Sequence, residues 1–216
     1  MKRCTILSRT KFLPIAVVLT MLAGCPSTRE GPTGETSQGP VGAPIGAGVG
    51  APAGQTIEVT SPAFEPGGPI PTKYTEDGED VSPPLAWSGV PERAQELALI
   101  CDDPDAPNPK RPAATPWVHW VLYKIPADTK ELPEGIPKTA QLDDPPGALQ
   151  GKNSWPTTGY RGPAPPPGSG THRYFFKLFA LDAELAAEPE MDKTTLEREM
   201  EGHVIGEGSL FGTYER

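Results

Sequence analysis

The chain has 216 residues and carries 28 acidic against 19 basic side chains, a net charge of −9 with its three histidines neutral. That balance excludes a protein that grips a nucleic-acid backbone, which needs a basic face, and it argues against electrostatic adsorption to anionic lipid. Three cysteines are too few for a disulfide framework.

Lys2, Arg3, Arg9 and Lys11 give the chain a basic start, and an apolar run of 11 residues follows from Phe12 to Leu22. A bilayer span needs about 20 residues, so this run suits the core of an export signal. Leu22-Ala23-Gly24-Cys25 then reads as a lipobox, in which small residues precede the cysteine that becomes lipidated. The expectation is a signal over residues 1–24 and a new N-terminus at Cys25, bearing diacylglycerol and a palmitate-type acyl chain. An ordinary secretory signal with an incidental cysteine is the plainer alternative. Pro26, in place of a retaining aspartate, favours an outer membrane where two membranes exist. Loss of the signal's four basic residues leaves 15 basic against 28 acidic, a net of −13. Any anion must then be captured by a local site working against the overall field. With Cys4 removed and Cys25 acylated, Cys101 remains alone, at the end of the apolar run Leu97 to Ile100, where a buried structural thiol is expected.

Residues 25–55 hold the lipidated cysteine and a linker. Glycine and proline supply 13 of the 30 residues from 26 to 55. Nothing there exceeds Val41, Ile45 or Val49 in size, so the segment is expected to be a disordered tether. Its end-to-end distance would be roughly 30 Å. Residues 56–216 suit one domain. Thr56 to Thr60 alternates as a strand, Leu97 to Cys101 is a buried-type run, and Trp117 to Ile125 and Tyr174 to Leu181 are long mixed stretches. Gly208 to Tyr214 closes the series. Thr194 and Glu197 form a capping box for a helix with Leu196, Met200 and His203 on one face, and a shorter helix is expected around Asp182 to Ala187. The pattern is all-β with small helical decorations.

Three segments could carry chemistry. In Trp117-Val118-His119-Trp120-Val121-Leu122-Tyr123, strict alternation places His119 on the face of Trp117, Val121 and Tyr123. His172 opens the next long strand, with Tyr174, Phe176 and Leu178 on its face. Two histidines at the mouths of apolar strand faces suggest a pocket rim; two hydrogen-bonded core histidines fit the same pattern. The cluster Asp102-Asp103-Pro104-Asp105-Ala106-Pro107 follows a strand, and its prolines fix where the carboxylates point, although by itself it also reads as a solvated turn. Without a His-Glu-x-x-His run, a cysteine pair or a Gly-x-Ser-x-Gly elbow, neither a metal nor any other cofactor is expected. The third segment runs from Gly159 to Tyr174. Pro165-Pro166-Pro167 makes a rigid wall, and Gly168 and Gly170 could turn amides toward an anion.

Asp103-Pro104-Asp105-Ala106-Pro107, Trp117-Val118-His119-Trp120 and Gly168-x-Gly170-x-His172-Arg173-Tyr174, in that order, resemble the signature of the phosphatidylethanolamine-binding protein family. Ser61 to Phe64, Gly78 to Trp87 and Gly202-His203-Val204 are similar to its bacterial Raf-kinase-inhibitor-like branch. The resemblance implies a large antiparallel sheet packed on a smaller one, with one or two short helices. It implies a pocket for phosphate-like anions made by Asp103, Asp105, His119, His172 and Tyr174, with Tyr160, Pro166 and Gly170 beside it. The aspartates would orient the histidines, leaving the second ring N–H for the anion. Many bacterial relatives carry cysteine where this chain has Ala164, so thiol chemistry there is excluded. The chain ends at Arg216, without the longer C-terminal segment of animal members, so their kinase regulation is not carried over. His203 is expected to be structural.

The expected function is a membrane-tethered extracytoplasmic protein that binds a small anionic ligand such as a phospholipid headgroup, not an enzyme. A homodimer is compatible with this reading, and nucleic acid is not a partner. A protease- or kinase-inhibitor-like interaction module, using the exposed loop Asn108 to Pro116, is the rival; a hydrolase using Asp103 and His172 would have to show turnover. The anchor is directly testable. Wild-type protein should partition into detergent, whereas Cys25→Ser should leave an unprocessed or aqueous form. Limited proteolysis should cut within residues 26–55 and release a stable domain beginning near Thr56. Wild type found wholly in the aqueous phase with residues 1–24 removed would overturn the lipidation.

Overall fold

In the computed structural model, residues 54–216 are described; the expected signal, Cys25 and all but the last two residues of the expected linker lie outside them. Nine strands follow one another: β1 (Gln55–Thr56), β2 (Glu58–Thr60), β3 (Leu85–Ser88), β4 (Glu96–Asp103), β5 (Trp117–Pro126), β6 (Glu131–Leu132), β7 (Leu149–Gln150), β8 (His172–Leu181) and β9 (Val204–Tyr214). They form a six-stranded sheet of order β1-β9-β8-β4-β5-β7 and a three-stranded sheet of order β2-β3-β6. Every pairing is antiparallel except β1 on β9, which is parallel. The expected pair of unequal sheets is therefore present, with one parallel edge.

The segment Thr56 to Thr60 is not one strand. Ile57 donates its amide to Glu207 O (2.9 Å) at the large sheet's edge, and the next residue already pairs with β3. The chain thus changes sheets at Ile57, whose side chain is buried between them. A Cβ at Gly208 would stand 2.0 Å from the Ile57 carbonyl oxygen, so only glycine permits this crossing. Strand pairing includes Gln55, one residue before the expected boundary, opposite Gly206.

All eight residues of β4 are buried. Both faces of this central strand are covered, which explains its unbroken apolar run. Leu97, Leu99 and Cys101 point between the sheets beside Trp120, Phe176 and Leu178. Ala98 and Ile100 point to the other face, where Leu196 and Met200 of α1 (Lys193–Met200) cover them. Burial pushes the Cys101 thiol up, so it stays protonated.

β5 breaks simple alternation twice. Its register against β4 slips between Cys101↔Trp120 and Asp102↔Val118, and again between Leu97↔Ile125 and Leu99↔Leu122, where Lys124 takes φ 55°. The first bulge lets consecutive residues His119 and Trp120 project to the same side. His119 therefore does not share a face with Val121 and Tyr123, which pack under the helix. Alternation was the wrong rule here because the extra residue resets it.

The helix start differs as well. Asp192, not Thr194, is the N-cap, with its side chain accepting the Thr195 amide at 2.8 Å. No helix forms over 182–187. Lys124 Nζ donates to Leu185 O (2.8 Å) and Tyr123 OH to Glu188 O (2.5 Å), so side chains of β5 fasten this non-helical stretch to the sheet. His203 is exposed beyond α1, with Nδ1 3.1 Å from Asp182 Oδ1.

Loops seal the edges of the large sheet. Beyond β1, the stretch Gly67 to Ile70 bonds to Phe211 and Thr213 of β9. On the far side, Gln141 bridges to Leu149, and Gln150 donates its amide to Ala140 O.

Asp102 fixes the helix to the sheet. Its carboxylate is fully buried and meets Lys177 at 2.8 Å and Lys193, the first residue of α1, at 2.5 Å. Lys193→Met should leave it with one cation and lower stability by about 1–3 kcal/mol, seen as a lower urea midpoint. An unchanged midpoint would show that Lys177 alone suffices.

Candidate functional site

Antiparallel register brings three strand ends to one side of the large sheet. Asp103 ends β4 opposite Trp117, which opens β5, and His172 opens β8 beside them. Asp102 and Asp103 are consecutive and point to opposite faces; Asp102 serves the helix and Asp103 the space facing the small sheet. Neither is a solvated turn residue, since both are buried inside the strand.

A cavity of about 250 Å³ lies there, with Asp103, His119, His172 and Tyr174 around it. Its walls are apolar: Ala106 and Pro107, Trp117 and Trp155, and Ala164, Pro165 and Pro166. No lysine or arginine lines it.

Asp103 Oδ2 is 2.7 Å from His172 Nδ1, and its Oδ1 accepts the Asp105 amide at 2.7 Å. A carboxylate only accepts, so His172 Nδ1 carries hydrogen and the tautomer is set. His172 Nε2 lies 3.0 Å from Ser169 Oγ. Asp103 thus fixes the orientation of the His172 ring.

His119 is oriented differently. Its Nδ1 lies 2.6 Å from the Arg161 carbonyl, to which it donates, leaving Nε2 as the ring's remaining nitrogen. The ring packs edge-on against Tyr174 (5.1 Å) and Trp155 (5.2 Å). Burial lowers its pKa below the ordinary histidine value, against a smaller opposing pull from the Arg161 carbonyl. No aspartate holds it.

Tyr174 is buried, and its hydroxyl oxygen has no hydrogen-bond partner among the described residues. Burial, with Asp103 nearby, drives its pKa far up, so the hydroxyl stays a donor. An orphaned buried hydroxyl at a cavity wall is a group waiting for a ligand atom.

Other expected site residues stand elsewhere. Asp105 grips Arg173 through both oxygens at 2.8 Å and also accepts its amide at 3.0 Å. Burial would raise its pKa, but these bonds outweigh it and hold the carboxyl below its ordinary value. Tyr160 is fully buried, donates to Tyr74 O at 2.7 Å and packs edge-on against Trp120, so it supports the core and does not line the cavity. Pro166 lines the cavity as expected. Gly170 does not, although φ +102° shows why glycine stands there. The Gly168 amide is used up on Arg216 O (3.0 Å) and does not face the cavity.

Sequence reasoning missed Trp155 and Ser169. Asn153 Oδ1 accepts the amides of Trp155 (3.0 Å) and Thr157 (3.2 Å), an Asx-type turn that sets the indole in the wall. Arg161 then stacks behind it, 4.5 Å from the ring centroid, and pairs with Glu76. An asparagine two residues before an aromatic in a proline-bounded loop was the available signal.

Two tyrosines separate core from site. Tyr160→Phe should cost about 1–2 kcal/mol, because a buried carbonyl loses its donor, while ligand binding is unchanged. Tyr174→Phe should leave the melting temperature unchanged or slightly higher, since no protein bond is lost, and should weaken ligand binding. The reverse pattern in thermal melts and calorimetry would mean that the assignment of the two residues is inverted.

With the geometry established, comparison with known proteins places the chain. A family model described as "Phosphatidylethanolamine-binding protein" matches residues 60–215. A UPF0098 protein of Methanothermobacter thermautotrophicus is 52% identical over 154 residues, covering 71% of this chain and 95% of that protein. One from Aquifex aeolicus is 42% identical over 161 residues, covering 74% and 89%. Among solved structures, a putative phosphatidylethanolamine-binding protein homologue from Chlamydia trachomatis has a TM-score of 0.65 at 40% identity, covering 74% of this chain and 98% of that one. YbcL of E. coli, described as a new member of the mammalian family, has a TM-score of 0.67 at 30% identity with the same coverage. The order of motifs, the paired sheets and the matched residues agree: this chain belongs to the phosphatidylethanolamine-binding protein family.

Proposed function

We propose that the protein is a membrane-tethered, extracytoplasmic binding protein that holds a small phosphate-bearing anion, such as a phospholipid headgroup, without turning it over. The tether is the lipid on Cys25. The observation that carries the binding reading is the buried Tyr174 hydroxyl, unpartnered at the wall of a cavity that also presents His119 and His172. A hydroxyl donor and two imidazoles suit phosphate oxygens, and the apolar walls suit an alkyl or glycerol portion beside them.

The cavity's own charge sets a condition. With Asp103 at its wall and no fixed cation, net attraction for an anion depends on protonated imidazole. His119 deprotonates as pH rises, and burial places that loss below the ordinary histidine range. Affinity should therefore be greatest in mild acid and fall as pH rises toward neutrality.

The rival reading, a protein-interaction or inhibitor module, draws on a different feature. Residues 110–115 form an exposed loop, folded back on its own start by the Ala113 amide donating to Ala106 O at 2.8 Å. That loop grows from the cavity rim, so a partner protein seated on it would cover the pocket.

Calorimetry with sulfate, whose charge is constant over the range, and with phosphoethanolamine decides between them. His172→Ala should weaken both ligands by roughly ten- to a hundredfold, the cost of about 1.5–3 kcal/mol for one charge-assisted donor. Asp103→Asn should act in the same direction through the imidazole. Equal affinities for wild type and His172→Ala, or tighter sulfate binding at higher pH, would remove the anion pocket and put the interaction module first.

A further inference from the structure

Ser169 is more than a cap on a buried histidine. Three side chains form an unbroken chain: Asp103 Oδ2 to His172 Nδ1 at 2.7 Å, and His172 Nε2 to Ser169 Oγ at 3.0 Å. With Nδ1 carrying the hydrogen bound by Asp103, Nε2 is bare whenever the ring is neutral, the alternative to the charged form that would donate to an anion. The serine hydroxyl must then be the donor, and the ring is set against it as a base. The imidazole is wholly buried and the Asp103 side chain is 3% exposed, so water competes for neither group. Ser169 itself is half-buried on the loop that leads from the cavity wall into β8.

Its surroundings fit the same role. Gly168 and Gly170 flank it with φ +74° and +102°, and a Cβ on either would meet nothing within 4 Å. The Ser169 amide is spent on Pro166 O (3.0 Å) and that of Gly168 on Arg216 O, but the amide of Gly170 meets no protein acceptor among the described residues. An unspent N–H on the residue after a nucleophile is the place where developing negative charge is commonly held. The orphaned Tyr174 hydroxyl is a second unspent donor at the adjoining cavity.

We propose that Ser169 is a nucleophilic serine, activated by His172 and positioned through Asp103, that forms a covalent ester with small electrophilic acyl or phosphonyl compounds. In the reaction the Oγ–carbon or Oγ–phosphorus bond forms and the bond to the leaving group breaks. The Oγ proton passes to His172 Nε2 and from there to the leaving group, while Asp103 holds the imidazolium. The step is one covalent capture. It does not rest on the anion-binding reading, which would stand unchanged if Ser169 proved inert. A merely structural serine would show the same distances and no reactivity.

The test is intact-mass spectrometry of the full-length protein in detergent after exposure to diisopropyl fluorophosphate. One diisopropylphosphoryl adduct is expected per chain, with fluoride released, and peptide mapping should place it on Ser169. Ser169→Ala should take up no label, and Asp103→Asn should be labelled at least tenfold more slowly at an unchanged melting temperature. Absence of an adduct on the wild type, an adduct on another residue, or equal rates for wild type and Asp103→Asn would each overturn the proposal. The mapping on wild type decides even if a variant fails to fold.

Discussion

Two carboxylates buried side by side at the end of β4 impose most of the order seen on this side of the molecule. A strand sends successive side chains to opposite faces, so Asp102 and Asp103 cannot share a partner. Each ionised group taken out of water needs its own compensation. Asp102 draws Lys177 and Lys193 to one face, and through Lys193 it docks α1. Asp103 draws His172 to the other, and through it aligns Ser169. Packing of the helix and geometry of the cavity are thus set by one dipeptide in the strand that both sheet faces enclose.

Much of the fold was legible because burial leaves a plain mark. Leu97 to Cys101 is apolar without interruption, and it is the strand covered on both faces. His172, Tyr174, Phe176 and Leu178 do share a face, since β8 runs opposite β4 without a slip there. His119 was misplaced because a bulge is a count of residues on two strands, and one strand's sequence does not contain it. Asp105 and Tyr160 were assigned to the pocket through resemblance, but their partners, Arg173 and Tyr74 O, lie 68 and 86 positions away. The 182–187 segment shows the same limit: its residues favour a helix locally, but β5 side chains distant in sequence fasten it to the sheet through the Leu185 and Glu188 carbonyls.

The electrostatics are arranged by subtraction. An acidic protein contains a pocket with an aspartate and no permanent cation, yet several cations stand close by. Arg173 is spent on Asp105, Arg161 on Glu76 and the face of Trp155, and Arg216 on Asp77. The cavity wall is thereby left with two imidazoles and no guanidinium or ammonium group among its lining residues. His119 hydrogen-bonded to a backbone carbonyl and His172 hydrogen-bonded to a carboxylate are consequently not equivalent. One is held by a dipole and the other by a charge.

The sealing of the large sheet at both margins bears on how copies of this chain can meet. An open strand edge is a template for a further strand, and chains crowded together would add to one another through it. Here the Gly67 to Ile70 loop occupies the outer polar groups of Phe211 and Thr213, and Ala140 and Gln141 occupy those beside β7. Continuation of the sheet from one molecule into the next is closed at the positions these loops cover. Any pair of copies must meet there through side chains on faces or loops, and such a contact can be built or broken without disturbing the ladder that carries the cavity.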